Sequence, residues 1–393
     1  MEHPFLYGAA TSAHQTEGNN TNNDWWKWEM SRPVGMRSGL AADHYDRFRE
    51  DFVLAKELGH NAHRLSLEWS RIERKQGVWD KEALRHYRQM LEELQARQIT
   101  PFVTLHHFTN PLWFVERGGW LRGDAAELFA RYVRVAAEYL GDLVPFWITL
   151  NEPVLWSSLA YWQRRWPPQR RSWRQFNRVV RHLATAHNKA YRGLHQRYPL
   201  AQVGLAKHLI SYQPASQAWV DRAACRTIDW WFNRRFYKLT WSRHDFLGVN
   251  YYFQRKVRGQ IMPPGIRQSD VVGEKTDIGW TVAPDGLRQV LESLRYLKRP
   301  IYVTENGLAD VNDRLRGDFI RDHLRAVEAA QANGADVRGY LHWSLIDNYE
   351  WDLGFAPRFG LVAVDYKTMA RQIRPSAYVY KSIIEQARNE SLR

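Results

Sequence analysis

Two carboxylates stand in matching contexts: Glu152 follows Trp147-Ile148-Thr149-Leu150-Asn151, and Glu305 follows Ile301-Tyr302-Val303-Thr304. Two acids brought to one rim can cleave a glycosidic bond. At a separation of ~5–5.5 Å one attacks the anomeric carbon while the other protonates the leaving oxygen; at ~6.5–9.5 Å a water fits between them and the outcome inverts. A lone Glu at the end of an apolar run more often caps a helix or pairs with a cation, so it is the repeated context that points to chemistry. Electrostatics adds a division of labour. Neighbouring carboxyls do not both ionise cheaply, so one is pushed up and the other is held down by donors such as Arg64, which leaves Glu152 as the protonated member.

The elements that must position these acids are legible as alternation. Short apolar, β-branched runs at Phe5–Gly8, Ala62–Leu67, Pro101–Leu105, Phe146–Leu150, Gln202–Ala206, Phe246–Val249, Ile301–Thr304 and Gly339–Trp343 read as strands. Between them lie stretches with apolar residues three or four apart, among them Ala83–Arg97, Ala125–Leu140 and Asp318–Ala332, which read as amphipathic helices. Eight alternating units without a low-complexity linker predict a (β/α)8 barrel, one domain over residues 1–393, with its site at the C-terminal strand ends. Those ends carry Thr11 to Gln15, Glu68-Trp69-Ser70, His106-His107, Asn151-Glu152, Asn250-Tyr251-Tyr252, Glu305-Asn306 and Trp343-Ser344. Polar, acidic and aromatic groups meet on one rim.

Composition sets the outer bounds. A chain of 393 residues that is 44% hydrophobic buries a large core, which excludes disorder as its main state. Cys225 is the only cysteine, so no internal disulfide forms, which favours a reducing, cytoplasmic setting. Met1–Gln15 has no basic segment followed by a long apolar one, and no run approaches the ~18 apolar residues of a membrane helix. His-Glu-x-x-His and similar ligand spacings do not occur, so neither a metal nor another cofactor is expected. The 19 Trp are the unusual number, because indoles beyond the needs of a core often stack flat ligand faces.

TLNEP at Thr149–Pro153 and VTENG at Val303–Gly307 resemble the two catalytic motifs of glycoside hydrolase family 1. Supporting likenesses run through the chain in order: GAATSAHQTEG at Gly8–Gly18, ADHYDRFREDF at Ala42–Phe52, RLSLEWSRIE at Arg64–Glu73, DFLGVNYY at Asp245–Tyr252, and the long segment Trp343–Tyr366. The resemblance implies a retaining β-glycosidase acting on small neutral β-glycosides. It makes Glu152 the acid/base and Glu305 the nucleophile, with Arg64 and Tyr252 holding the nucleophile. It assigns Asn151 to the sugar 2-hydroxyl, Gln15, His106, Glu350 and Trp351 to the other hydroxyls, Trp343 to the apolar floor and Phe359 to the side. The alternative is a catalytically silent barrel that binds glycans or nucleic acid; the presence of both acids favours the enzyme.

Several positions depart from the family pattern. His106-His107-Phe108 stands where the family reads His-Trp, so an indole donor to the sugar is missing and the choice among glucose, galactose and fucose is open. His14 replaces a common Tyr, and the connection after Phe232-Asn233-Arg234-Arg235-Phe236 is short, exposing the flank or leaving it to another subunit. Glu350-Trp351 matches the pattern for neutral rather than 6-phosphorylated sugars, and Glu at 152 argues against the thioglucosidase branch. The segment Tyr161–Arg181 carries seven Arg and three Trp. A solvated face is its plainest reading. Trp156, Trp162 and Trp166 would otherwise stack a greasy aglycone, with Arg164 and Arg165 at the surface or on lipid headgroups; nucleic acid is the less favoured partner.

Overall fold

The computed structural model describes residues 4–240, 243–261 and 265–391. Residues 1–3 of the leader reading, 241–242 in the short connection, 262–264 and 392–393 lie outside the described residues. Eight parallel strands close into a barrel in chain order: β1 Leu6–Ala10, β2 Ala62–Ser66, β3 Thr100–Thr104, β4 Phe146–Asn151, β5 Gln202–His208, β6 Leu247–Asn250, β7 Ile301–Asn306 and β8 Val337–Trp343. The seam is shut by β1 and β8, with Leu6 opposite Gly339 and Ala10 opposite Trp343.

The barrel is filled in layers. Ala62, Phe102, Ile148, Ala206, Phe246, Tyr302 and Leu341 form the lower plug, in which the Phe102 and Phe146 rings stack at 4.3 Å. Two residues further along β2 the side chain again points inward, which is how the fully buried Arg64 arrives above this plug. A third group, Ala10, Tyr252, Ala309, Trp343 and Phe359, sits at the top. Gly307 allows this closeness, since a Cβ there would collide with the Trp343 carbonyl.

The outer helices follow from apolar spacing and caps. In the helix Ala125–Leu140 the buried residues include Ala125, Leu128, Phe129, Tyr132, Val133, Ala136 and Leu140, one continuous face. The helix expected to begin at Ala83 begins at Lys81, because Asp80 accepts from the N–H groups of Glu82 and Ala83 at 2.9 and 3.0 Å. That expected from Asp318 begins at Arg316, where Asp310 accepts from Leu315 and Arg316 N–H. A rim sheet of Ser211–Pro214, Gln254–Gln260 and Gly265–Asp270 was not foreseen; it extends the wall beyond β5 and β6. Strand β5 also runs two residues past the expected Ala206, through Lys207 to His208. Among the described residues no helix is long and apolar enough to cross a membrane.

Candidate active site

A cavity of about 520 Å³ opens at the C-terminal strand ends. Glu152 and Glu305 both line it, as do Gln15, Asn151, Tyr252, Trp343, Glu350, Trp351 and Phe359. A second cavity, about 680 Å³, lies at the opposite end among the loops before β3, β4 and β5; it contains Asp142 but no pair of acids.

Glu305 stands near the end of β7 and is gripped from two sides. Tyr252 Oη donates to Oε2 at 2.6 Å, and Arg64 Nη1 donates to Oε1. Arg64 is itself fixed by Thr104 Oγ1 at 3.0 Å and Asn151 Oδ1 at 2.7 Å. The expectation that such donors hold Glu305 low is corrected here. Burial pushes its pKa up, to about 7; Arg64 and Tyr252 oppose this, and the charge of Glu152 adds to it. Full desolvation of the carboxylate outweighs the two donors.

Glu152 lies one residue beyond β4, where the chain turns sharply into the helix Pro153–Tyr161. Its φ of 44° and ψ of 51° place a non-glycine residue in the left-handed region, a strained conformation typical of functional turns. The turn is anchored by its N–H, which donates to the Ala206 carbonyl at 2.7 Å. Oε1 accepts from Asn250 Nδ2 at 2.8 Å and lies 3.4 Å from His208 Nδ1. The amide orientations follow from Arg64, which can only donate: Asn151 must offer Oδ1 to it, so Asn250 must offer Nδ2 to that same Oδ1, 3.0 Å away. Oε1 is therefore an acceptor, and a proton on this carboxyl belongs on Oε2.

The same logic reaches the third strand end. With Oδ1 committed, Asn151 Nδ2 donates to His107 Nε2 at 3.1 Å, so the neutral ring carries its proton on Nδ1, which has no partner among the described residues. Burial keeps His107 neutral by pushing its pKa well down. His107 and Phe108 line the cavity, and His107 lies nearly parallel to Trp343 and Trp351. The assignment of His106 to the sugar is thus corrected. Its Nε2 is taken by Asn110 Oδ1 at 3.0 Å, and its ring stands edge-on to Trp120 and Trp156, away from the cavity.

On the far wall Gln15 Nε2 donates to Glu350 Oε2 at 3.2 Å and to Asn348 Oδ1 at 3.1 Å, while Ser12 Oγ fixes the Gln15 carbonyl at 2.6 Å. Burial and nearby acids push Glu350 up to about 8. His14 meets Glu29 at 2.7 Å and stacks on Trp351, which holds that indole from behind.

The Arg/Trp segment divides. Trp156 is buried against His106 and Tyr161, and Trp166 is buried among Trp25, Phe108 and Trp351 with its Nε1 on Asp352 at 2.9 Å. Trp156 lies outside the cavity lining, whereas Trp166 reaches that lining with the small part of its ring left uncovered. Trp162, 44% exposed, remains at the cavity mouth, edge-on to Trp173. Arg165 pairs with Asp352 at 2.6 Å and so is not a free surface cation. Leu155, Leu159, Ile210, Ile228 and Trp231 continue the mouth as an apolar wall. The apolar pattern assigns no role to Asn250, although it stands among the strand ends, and it ends β5 before Lys207 and His208, where the first charged residue breaks the run.

Residues 1–243 and 237–389 match the model of the family described as glycosyl hydrolase family 1. Beta-glucosidase A of Thermotoga maritima is 30% identical over 97% of this chain and 97% of its own. Among solved structures, a beta-glycosidase from Pyrococcus horikoshii is 40% identical with a TM-score of 0.93, covering 98% of this chain and 95% of its own. The Thermotoga maritima beta-glucosidase in complex with glucoimidazole is 28% identical, also with a TM-score of 0.93, over 98% of this chain and 99% of its own.

Proposed function

The chain belongs to glycosyl hydrolase family 1 and is a β-glycosidase, and from that premise we propose that it cleaves neutral β-glycosides by double displacement with retention at the anomeric carbon. Glu305 attacks the anomeric carbon, the bond to the glycosidic oxygen breaks, and Glu152 gives that oxygen its Oε2 proton as the aglycone leaves. Water then gives a proton to Glu152 while its oxygen displaces Glu305, which returns as carboxylate. One residue serves as acid and then as base, because esterifying Glu305 removes its charge and makes Glu152 the better base. An alcohol in place of water would transfer the sugar. The observation that carries this reading is the asymmetry of the two acids: Glu305 is held by Arg64 and Tyr252, while Glu152 has one oxygen tied by Asn250 and the other unassigned. The anomer formed first in an NMR time course tests it. The β-anomer is expected, and the α-anomer would contradict retention.

The glycone contacts follow the same geometry. Asn151 faces the 2-hydroxyl, Gln15, Glu350 and His107 Nδ1–H serve other hydroxyls, and the Trp343, Trp351 and Phe359 rings cover apolar sugar faces. Glu350 supplies no cation to receive a 6-phosphate, so the site favours neutral sugars. The glucoimidazole complex of the Thermotoga maritima relative supports glucose as a substrate sugar.

Beyond the sugar, the apolar mouth favours aryl or long-alkyl aglycones over cellobiose. Between Pro153 and Val220 there is no Asp or Glu, whereas Arg170, Arg171, Arg174, Arg178 and Arg181 are exposed near Trp162 and Trp173. That surface complements an anionic lipid face, so peripheral membrane contact belongs to this reading. The buried thiol of Cys225 fits a reducing, cytoplasmic location, and residues 1–393 are read as one domain.

A further inference from the structure

His208 ends strand β5 on the leaving-group side of the cavity, 4% exposed, with no hydrogen-bond partner at either ring nitrogen among the described residues. A buried imidazole left unbonded costs free energy, so its position needs an explanation. Its ring lies nearly parallel to Tyr252, centroids 5.9 Å apart, and edge-on to Phe232 at 6.1 Å. These contacts aim Nδ1 at Glu152 Oε1, 3.4 Å away. Catalytic hydrogen bonds are commonly long in an empty site and tighten when substrate binds.

The charges around this pair come from each neighbouring element. Lys207, the preceding residue on the same strand, donates Nζ to the Phe232 carbonyl at 2.6 Å; burial pushes its pKa down to about 7, against the charges of Glu152 and Asp229. Asp229 faces Lys207 from the turn after the helix Trp219–Ile228. Tyr252 and Glu305, with Arg64 behind them, close the far side, and Glu350, on the last rim loop, is pushed up by burial and by the charges of Glu305, Asp352 and Glu152. Once Glu305 is esterified, its charge leaves this set, and His208 and Lys207 remain beside Glu152.

We propose that His208 is a positioning residue for Glu152: its Nδ1–H donates to Oε1 during turnover, joins Asn250 in reserving that oxygen as an acceptor, and favours the carboxylate that must activate water. This rests on the reading of Glu152 as the acid/base. Either protonation state of the ring that carries Nδ1–H serves, and no bond to His208 forms or breaks.

Three variants separate donation from packing. His208→Phe keeps the ring against Tyr252 without nitrogens, His208→Asn places an amide N–H near Nδ1, and His208→Gln reaches instead toward Nε2. Losing a donor to a carboxylate raises its proton affinity, so the alkaline limb of kcat/KM for an alkyl glucoside moves up by about one pH unit in the Phe and Gln variants and stays in place in the Asn variant. With a dinitrophenyl glucoside, whose leaving group needs no acid, kcat limited by deglycosylation falls about tenfold in Phe and Gln and is retained in Asn. Equal losses in all three with an unmoved alkaline limb would make His208 a packing residue and overturn the proposal. Glu152→Gln distinguishes the two levels. If it keeps the wild-type alkaline limb, the acid/base reading itself fails; if it abolishes the limb while His208→Phe leaves the limb unmoved, only the role of His208 fails.

Discussion

Asn250 Nδ2 stands 2.8 Å from Glu152 Oε1, and because Arg64 fixes the amide orientations upstream, this contact is donation from the amide to the carboxyl. It leaves Oε2 as the oxygen that carries the titrating proton. Replacing Asn250 with Ala frees Oε1 and raises the proton affinity of Glu152. For substrates with poor leaving groups kcat/KM should fall by about one to two orders of magnitude, with the alkaline limb displaced upward. Activated aryl glycosides should lose less, and steady-state rates on the two substrate types read the difference.

Tyr252→Phe acts on the other acid. The phenol favours the carboxylate form of Glu305, whose pKa burial has already raised to about 7, so removing it raises that pKa further. Glu305 must be ionised to attack. The acid limb of kcat/KM should therefore move to higher pH, with a rate loss of about tenfold at neutral pH. A profile whose acid limb stays in place would show that Glu305 does not set it.

Stability carries a matching signature. Burial raises Glu350 to about 8 in the folded chain, above its ordinary carboxyl range. A raised folded pKa contributes stability that is fully present below the unfolded value near ~4.5 and is lost as pH climbs through the folded one. Glu350→Gln does not titrate, so its advantage over the wild type should be smallest near pH 4 and grow up to about pH 8, by at most ~1.4 kcal/mol per pH unit. Thermal midpoints across that range measure it.

The Trp residues of the Arg/Trp segment should separate by burial. Trp162→Ala, at the mouth, should raise KM for octyl glucoside several-fold and leave methyl glucoside nearly unchanged. Trp156→Ala removes a buried ring outside the cavity lining and should instead cost stability, roughly 3–5 kcal/mol, whatever the substrate. Denaturant midpoints and KM values for the two glucosides resolve the two classes.

The barrel was legible because strand and helix alternate and because polar groups cluster where apolar runs stop. Caps displaced helix starts by two residues, as at Asp80, since a cap acts outside the apolar pattern that marks the helix. Two features of the site stayed hidden for a physical reason. The choice between His106 and His107 depends on which ring Asn110 captures, and Asn110 is itself pinned by Asp24 through Nδ2 at 2.9 Å. Lys207 and His208 were lost because a buried cation inside a strand contradicts the apolar rule by which strands are read. It is tolerated here because Lys207 finds the Phe232 carbonyl. Both are long-range contacts that spacing along the chain does not encode.

The separate roles of Glu305 and Glu152 are tested most directly by azide rescue. Glu305→Gly should be inactive, and with azide and an activated aryl β-glucoside it should recover turnover to an α-glucosyl azide, because the anion enters the vacated space below the anomeric carbon. Glu152→Ala should give the β-glucosyl azide instead, through the intact ester on Glu305. NMR of the isolated products distinguishes them. The same anomer from both variants, or rescue of neither, would contradict the assignment of nucleophile and acid/base.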